Sequence, residues 1–199
     1  DIANAFVDGP FGSNLKSEHY VYDGDVYVIE SGFISTGKFV YKEFKTITNE
    51  HFLTINRSEC KEHDVIIAKI GANYGMAGEL PKLDKPSVVS GNSLKITLNQ
   101  EKMLNTIFVK QLEMAKKNGG FISIVNETAQ PALSLGSLNN FRLIVAPIKE
   151  QAEIAEYLDE KCGLIDTLIA EKEDLVEKLE EYKKSLIYEY VTGKKEVPV

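Results

Sequence analysis

From Glu150 to about Thr192 the sequence carries no proline and a single glycine, and charged residues alternate with apolar ones. Steps of four and three pick out Ile154, Leu158, Lys161, Ile165, Leu168, Lys172, Leu175, Leu179, Tyr182 and Leu186, eight of these ten apolar. A stripe sustained over that many heptads packs one helix against another. At 1.5 Å per residue the helix would run roughly 60 Å, too long to fold back over a domain of this size. The sequence therefore predicts a protruding helix that needs a partner, in preference to a capping helix laid along its own domain. Its pairing interface is expected at Ile154, Leu158, Ile165, Leu168, Leu175, Leu179, Tyr182 and Leu186. Gly163 costs on the order of 1 kcal/mol relative to alanine and marks a kink or a close crossing. Lys161 and Lys172 weaken a simple two-stranded coil and help select register or partner.

Residues 1–147 read differently. Short β-prone runs (Asp25 to Ile29, Asp64 to Ile70, Ser93 to Leu98) are broken by glycines and polar clusters. An amphipathic helix is expected over 101–117, with Met103, Leu104, Ile107, Phe108 and Leu112 on one side. A last strand is expected over Phe141 to Val145 before Pro147. The expected class is α+β, a globular domain of mixed or antiparallel strands over 1–147, followed by one long coiled-coil-type helix over 148–199.

The net charge of −7 is unevenly spread: residues 148–199 hold 8 lysines and 14 carboxylates, leaving the first 147 residues at −1. A nearly neutral domain can still bind nucleic acid if its cations gather on one face. Cys60 and Cys162 are far apart and form no C-x-x-C, which fits reduced thiols in a cytoplasm. No apolar run is long enough to span a membrane, and the opening Asp1-Ile2-Ala3-Asn4 has neither an initiator Met nor a signal pattern. A cytoplasmic protein whose genetic start lies upstream is expected.

A search for catalytic patterns returns little. There is no G-x-x-x-x-G-K-[ST] loop. Gly71, Gly75 and Gly78 are spaced by four and three, unlike a dinucleotide fingerprint. The Asn/Asp-Pro-Pro-aromatic tetrapeptide that holds a target amine in amino-methyltransferases is absent. His51, Cys60 and His63 offer one C-x-x-H pair without a second, a weak zinc pattern. Glu43-Phe44-Lys45 with Asp25 upstream outlines a metal-dependent nuclease core only loosely. Three histidines without a Ser/His/Asp arrangement leave little for acyl transfer. The chain reads as non-catalytic, with no cofactor or metal of its own.

Three segments carry a resemblance. Asp8-Gly9-Pro10-Phe11-Gly12-Ser13-Asn14-Leu15-Lys16 resembles the opening of a target-recognition domain in the specificity subunits of type I restriction–modification systems. Gly136-Ser137-Leu138 through Pro147-Ile148-Lys149-Glu150-Gln151 is similar to that family's join between domain and helix. Leu158-Asp159-Glu160-Lys161, Ile165-Asp166, Leu168-Ile169 and Tyr182-Lys183-Lys184-Ser185-Leu186-Ile187, ending in Val191-Thr192-Gly193-Lys194, resemble its C-terminal helix. Asp64 to Gly71 and Ala129-Gln130-Pro131-Ala132-Leu133 match looser patterns. The resemblance implies double-stranded DNA, adenine methyltransferase subunits and a restriction/translocase subunit as partners. S-adenosylmethionine, ATP and Mg²⁺ would belong to those subunits. Such subunits usually carry two recognition domains and two antiparallel helices. One of each is seen here, which leaves a half-length subunit that homodimerises or the C-terminal half of a longer chain.

Under that reading, residues on glycine-flanked loops are the DNA-binding candidates: Ser13, Asn14, Lys16, Lys38, Arg57, Lys69, Asn73, Tyr74, Asn92 and Gln130. Each has a plainer alternative. Asn14, Asn73 and Asn92 suit turns that need positive φ, Lys16 and Lys38 suit solvated surface, Arg57 suits an ion pair beside Glu59, and Tyr74 suits the core. Two rival functions stay open: an oligomerisation scaffold whose head binds protein, and an enzyme built on Glu43 and Lys45.

Overall fold

The computed structural model describes residues 2–35, 37–122 and 132–197. Contacts divide the chain into two compact units, Asp1–Ala152 and Glu153–Val199.

The first unit is built on two four-stranded sheets. One is antiparallel throughout and joins, in spatial order, β1 (Ala3–Asp8), β10 (Ser93–Leu98), β7 (Val65–Ala68) and β8 (Ala77–Glu79). The other is mixed and joins β5 (Lys45–Ile47), β2 (Val26–Ile29), β9 (Ser87–Val89) and β6 (Glu59–Cys60), with β2 and β9 parallel. A small hairpin pairs β3 (Ile34–Ser35) with β4 (Lys38–Phe39). Helices α1 (Asn49–Thr54), α2 (Asn105–Lys117) and α3 (Leu135–Asn139) complete the unit, and α4 (Ile148–Val191) begins in it.

Alternation along the strands explains the cores. Successive β2 side chains point to opposite faces, so Val26 and Val28 enter one cluster with Ile47, Ile55 and Val88. Ile29 enters the other with Phe33, Ile34, Cys60, Ile66, Leu80 and Val89. All four residues of β7 are buried, because the strand lies between β10 and β8 and is covered on both faces, which favours an unbroken apolar run.

One buried polar network crosses the antiparallel sheet. Lys95, on β10, donates from Nζ to Asp64 Oδ2 at 2.8 Å, and both side chains are at most a tenth exposed. Thr97, two residues on and therefore on the same face, donates to the other carboxylate oxygen. The Lys61 N–H also donates to Asp64, at 2.8 Å. His63, at φ 70° inside this turn, accepts the Asn105 side-chain amide on its carbonyl oxygen at 2.8 Å, which fixes the start of α2.

Two expected elements differ. The helix expected from residue 101 starts at Asn105, because Asn99 holds a turn there: its side chain accepts the Glu101 N–H and its carbonyl accepts those of Lys102 and Met103. The strand expected over Phe141 to Val145 does not form. The amide of Ile144 is satisfied by a side chain, donating to Gln111 Oε1 at 3.0 Å while its carbonyl accepts Gln111 Nε2 at 2.7 Å. That pairing with α2 replaces a sheet neighbour. After Pro147 the chain enters α4, whose Gln151 is 1% exposed. Its side chain bonds the Leu104 N–H and the Lys102 and Ala146 carbonyls, which places the first turn of α4 in the first unit.

The second unit is the remainder of α4, a helix of 44 residues in all, about 66 Å at 1.5 Å per residue. Most of its large apolar side chains are exposed, Leu175 by 47% and Leu179 by 57%, while Leu158 is half-buried. Besides the heptad steps, a second spacing runs along it. Leu164, Leu175 and Leu186 recur every eleven residues, as do Ile165, Val176 and Ile187, and Lys161, Lys172 and Lys183. Eleven residues are close to three full turns, so Leu164, Ile169, Val176 and Ile187, left out by the heptad count, join the same face. Gly163 lies inside the unbroken helix.

Candidate nucleic-acid interface

Close backbone contacts lock the first two loops together. β1 ends at Asp8, and the Gly9 N–H donates to the Ser93 carbonyl at 3.1 Å. A Cβ on Gly9 would stand 1.9 Å from the Ser90 oxygen, and one on Gly91 would stand 2.6 Å from the Pro10 oxygen. Only glycine permits such an approach. Gly9→Ala is accordingly expected to push the two loops apart at a cost of about 1–3 kcal/mol, measured as a fall in the urea midpoint without change of slope.

Lys69 ties in a third loop. Its Nζ donates to Asp8 Oδ1 at 2.6 Å, its N–H donates to the Asn92 carbonyl at 2.9 Å, and its carbonyl accepts the Leu133 N–H at 2.9 Å. The Asp8 and Lys69 side chains are 20% and 18% exposed, and the ammonium lies 5.6 Å from the centroid of the exposed Phe11 ring. Ser58 Oγ reaches the Asp8 carbonyl at 3.4 Å, bringing the Asn56–Ser58 turn to the same place.

Ser13, Asn14, Lys16, Arg57 and Asn92 all stand exposed on these joined segments. Asn14, Asn73 and Asn92 have ordinary φ angles; Asp23 and His63 are the described non-glycine residues at positive φ. The turn-strain reading of the three asparagines is therefore not met. Arg57 forms no ion pair among the described residues, since Glu59 takes Lys61 at 3.4 Å.

Four candidates fall outside this grouping. Lys69 is committed to Asp8 and builds the loops instead of projecting from them. Tyr74 is half-buried, with Lys116 Nζ 3.1 Å from its ring centroid and Phe121 at 6.5 Å, so it packs; burial in turn lowers the pKa of Lys116. Lys38 is exposed on β4, beside β8, and Gly37 next to it lies against Glu113 and Val109 of α2. Asn73 is exposed on the turn that closes by the Met76 N–H to its own carbonyl. Gln130 lies outside the described residues. Phe11, an exposed aromatic between Pro10 and Gly12, was not among the candidates, although its place in a glycine-flanked turn was visible in the sequence.

The residues considered for catalysis hold separate structural posts. Asp25 accepts the Asn49 N–H at 3.0 Å at the start of α1, and Lys45 pairs with Glu30 at 2.8 Å. His51 Nε2 lies 2.9 Å from the Asn14 carbonyl. His63 Nδ1 lies 2.6 Å from Glu79, whose hydrogen bond is the main reason the histidine pKa is raised. Burial pushes the Cys60 thiol up to about 12, whereas Cys162 is exposed. A thiol reagent at neutral pH should label Cys162 in the folded chain and reach Cys60 only after denaturation; equal labelling rates would contradict the burial.

Exposed polar side chains thus gather on backbone-locked loops of the first unit, and an exposed amphipathic helix follows in the chain. The chain belongs to the family of type I restriction modification DNA specificity domains, whose model matches residues 54–178.

Two solved structures share the fold. One, from work on the structural basis of complex assembly and conformational transition of the type I R-M system, gives a TM-score of 0.73 at 12% identity, covering 92% of this chain and 42% of its own. The crystal structure of the HsdS subunit from Thermoanaerobacter tengcongensis gives 0.64 at 11% identity, covering 93% and 41%. This chain thus spans about two fifths of either. No curated protein sequence matches it significantly. No described helix is long and apolar enough to cross a membrane.

Proposed function

We propose that residues 1–147 read one half of a bipartite duplex target, and that residues 148–199 join this reader to a second helix and to methylation subunits. The observation that carries this reading is the meeting of Ser13, Asn14, Lys16, Arg57 and Asn92 on loops locked by Gly9 and Gly91, in a member of a DNA specificity family. Short polar side chains on a fixed backbone suit base edges, and each good contact is worth about 1–3 kcal/mol against the wrong base. Lys16 and Arg57 suit phosphates or a guanine edge. Lys38 and Asn73 stand as flanking contacts, and Gln130 is retained from the sequence.

In this reading α4 pairs with a second copy of the chain or with the matching helix of a second half, across Ile154, Leu158, Ile165, Leu168, Leu175, Leu179, Tyr182 and Leu186. A twofold dimer would present two identical readers to a symmetric bipartite site. S-adenosylmethionine, ATP and Mg²⁺ sit on the adenine methyltransferase and restriction/translocase partners, and the assembly works in the cytoplasm, where the DNA is.

The test is selection from a randomised duplex library by the chain, alone and with its methylation subunit, followed by affinity measurements across a salt series. One short sequence should be enriched, with affinity falling steeply as salt rises. Asn92→Ala should relax preference at a single base position, while Lys16→Ala should weaken all duplexes alike and reduce the salt slope by about one. Absent or salt-insensitive binding, with the helix still self-associating, would instead support a scaffold whose head binds protein.

A further inference from the structure

The turn that carries Ser13, Asn14 and Lys16 is held from beneath by two histidines that the reading above does not use. The imidazoles of His19 and His51 are stacked, with centroids 4.0 Å apart and planes 24° apart. His19 Nδ1 accepts the Lys16 N–H at 3.0 Å. His51 Nε2 lies 2.9 Å from the Asn14 carbonyl oxygen, so it must carry a hydrogen and donate. Between these two bonds Leu15 is half-buried against the cluster of Val26, Val28, Ile47, Ile55 and Val88. The backbone is thus fixed at three successive residues, through a carbonyl, an apolar side chain and an N–H, and the side chains of Asn14 and Lys16 remain exposed.

We propose that the His19–His51 stack is a clip that sets the position of the Phe11–Lys16 turn, making both histidines specificity-determining positioning residues that act through the turn without touching DNA. This rests on the proposal that the turn reads DNA. Both rings stand on anchored elements. The His51 N–H donates to the Thr48 hydroxyl that caps α1, and His19 ends the short Ser17–His19 helix that follows the turn. The charged neighbours are Glu18, with Oε1 3.9 Å from His19 Nε2, and Lys16, 3.7 Å from the same carboxylate. Packing alone would be served equally by two phenylalanines. What imidazole adds is one acceptor and one donor, each spent on the backbone of the exposed turn. The acceptor role requires a lone pair on His19 Nδ1, which places that ring's hydrogen on Nε2, the edge facing Glu18.

The substitutions follow from that division. His19→Phe and His51→Phe keep a stack and remove the bonds; His19→Asn and His51→Gln offer the bonding atom at a similar reach without the stack. Two readouts separate the clip from the DNA reading. Hydrogen exchange of the Lys16 amide in the free full chain should be at least tenfold faster in His19→Phe than in wild type and close to wild type in His19→Asn. In library selection with the methylation subunit, the ratio of affinities for the enriched duplex and a scrambled one should fall about tenfold in His51→Phe, the loss of one base contact, and recover to within about twofold in His51→Gln. Unchanged exchange and unchanged selectivity in the phenylalanine variants would overturn the clip. A proportional loss of affinity for both duplexes would reduce the histidines to general structural residues and overturn it too. If wild type enriches no sequence, the DNA reading fails and the specificity role fails with it, while the exchange rates still decide whether the clip exists.

Discussion

A chain carrying Leu175→Asp together with Leu179→Asp is expected to lose self-association and partner assembly while its head melts at the wild-type temperature. Both leucines are about half exposed on the apolar face of α4, and neither contributes to the buried clusters of the first unit. Burying one large apolar side chain is worth roughly 1.5–3 kcal/mol. In a pair of identical helices four such side chains are lost, each with only about half of its surface still to bury, so about 3–6 kcal/mol of association free energy goes, two to four decades in affinity. The new carboxylates would also need desolvation. Sedimentation velocity and co-purification with the methylation subunit measure the loss, and thermal unfolding checks the head. A head that unfolds in the double variant would mean that the face is internal core, and the pairing proposal would fall.

The second large effect is expected inside the antiparallel sheet. Asp64→Ala removes the partner of the Lys95 ammonium, the acceptor of Thr97 and the acceptor of the Lys61 N–H at once. Leaving one charge buried without its counter-charge costs about 3–5 kcal/mol, enough to threaten a domain whose whole stability is of the order of 5–15 kcal/mol. The double replacement Asp64→Leu with Lys95→Met should recover most of that loss, since apolar residues of similar volume often replace a buried ion pair without penalty. Urea unfolding of the three chains provides the comparison. A double variant no better than Asp64→Ala would show that the Lys61 and Thr97 bonds, not the ion pair, are what the sheet depends on.

How far the sequence foretold the molecule varies by element, for physical reasons. Long periodic signals read well: α4, and the apolar runs of β2, β7 and β10, lie within a residue or two of where pattern places them. Phe141 to Val145 was misread because Gln111, more than thirty residues away, supplies its hydrogen bonds, and alternation carries no information about such a partner. Among the loop residues, Gly9 and Gly91 mark segments that approach each other closely in the fold. Whether a given lysine projects or is tied down depends on tertiary neighbours: Lys16 is exposed, while Lys69 meets Asp8 from sixty-one positions along the chain. The two histidines beneath the turn had no pattern to announce them, since residues 19 and 51 become adjacent only when α1 is set beside the Ser17–His19 turn. The eleven-residue recurrence on α4 is present in the sequence alone, overlaid on the heptad steps that share several of its residues.

That recurrence gives the rod a natural unit of length. Excising residues 165–175 would rejoin Leu164 to Val176 with every oily residue still on its side, shortening the rod by about 16.5 Å. Excising five residues would swing all that follows by about 140° and split the face in two. In the proposed pairing, a mate that followed this spacing instead of the heptad one would wind around the rod gently to the right, meeting an ammonium group on every third turn. Were the mate a second copy of the chain, the carboxylates beside its own apolar face would be the natural counterpart for that row of lysines.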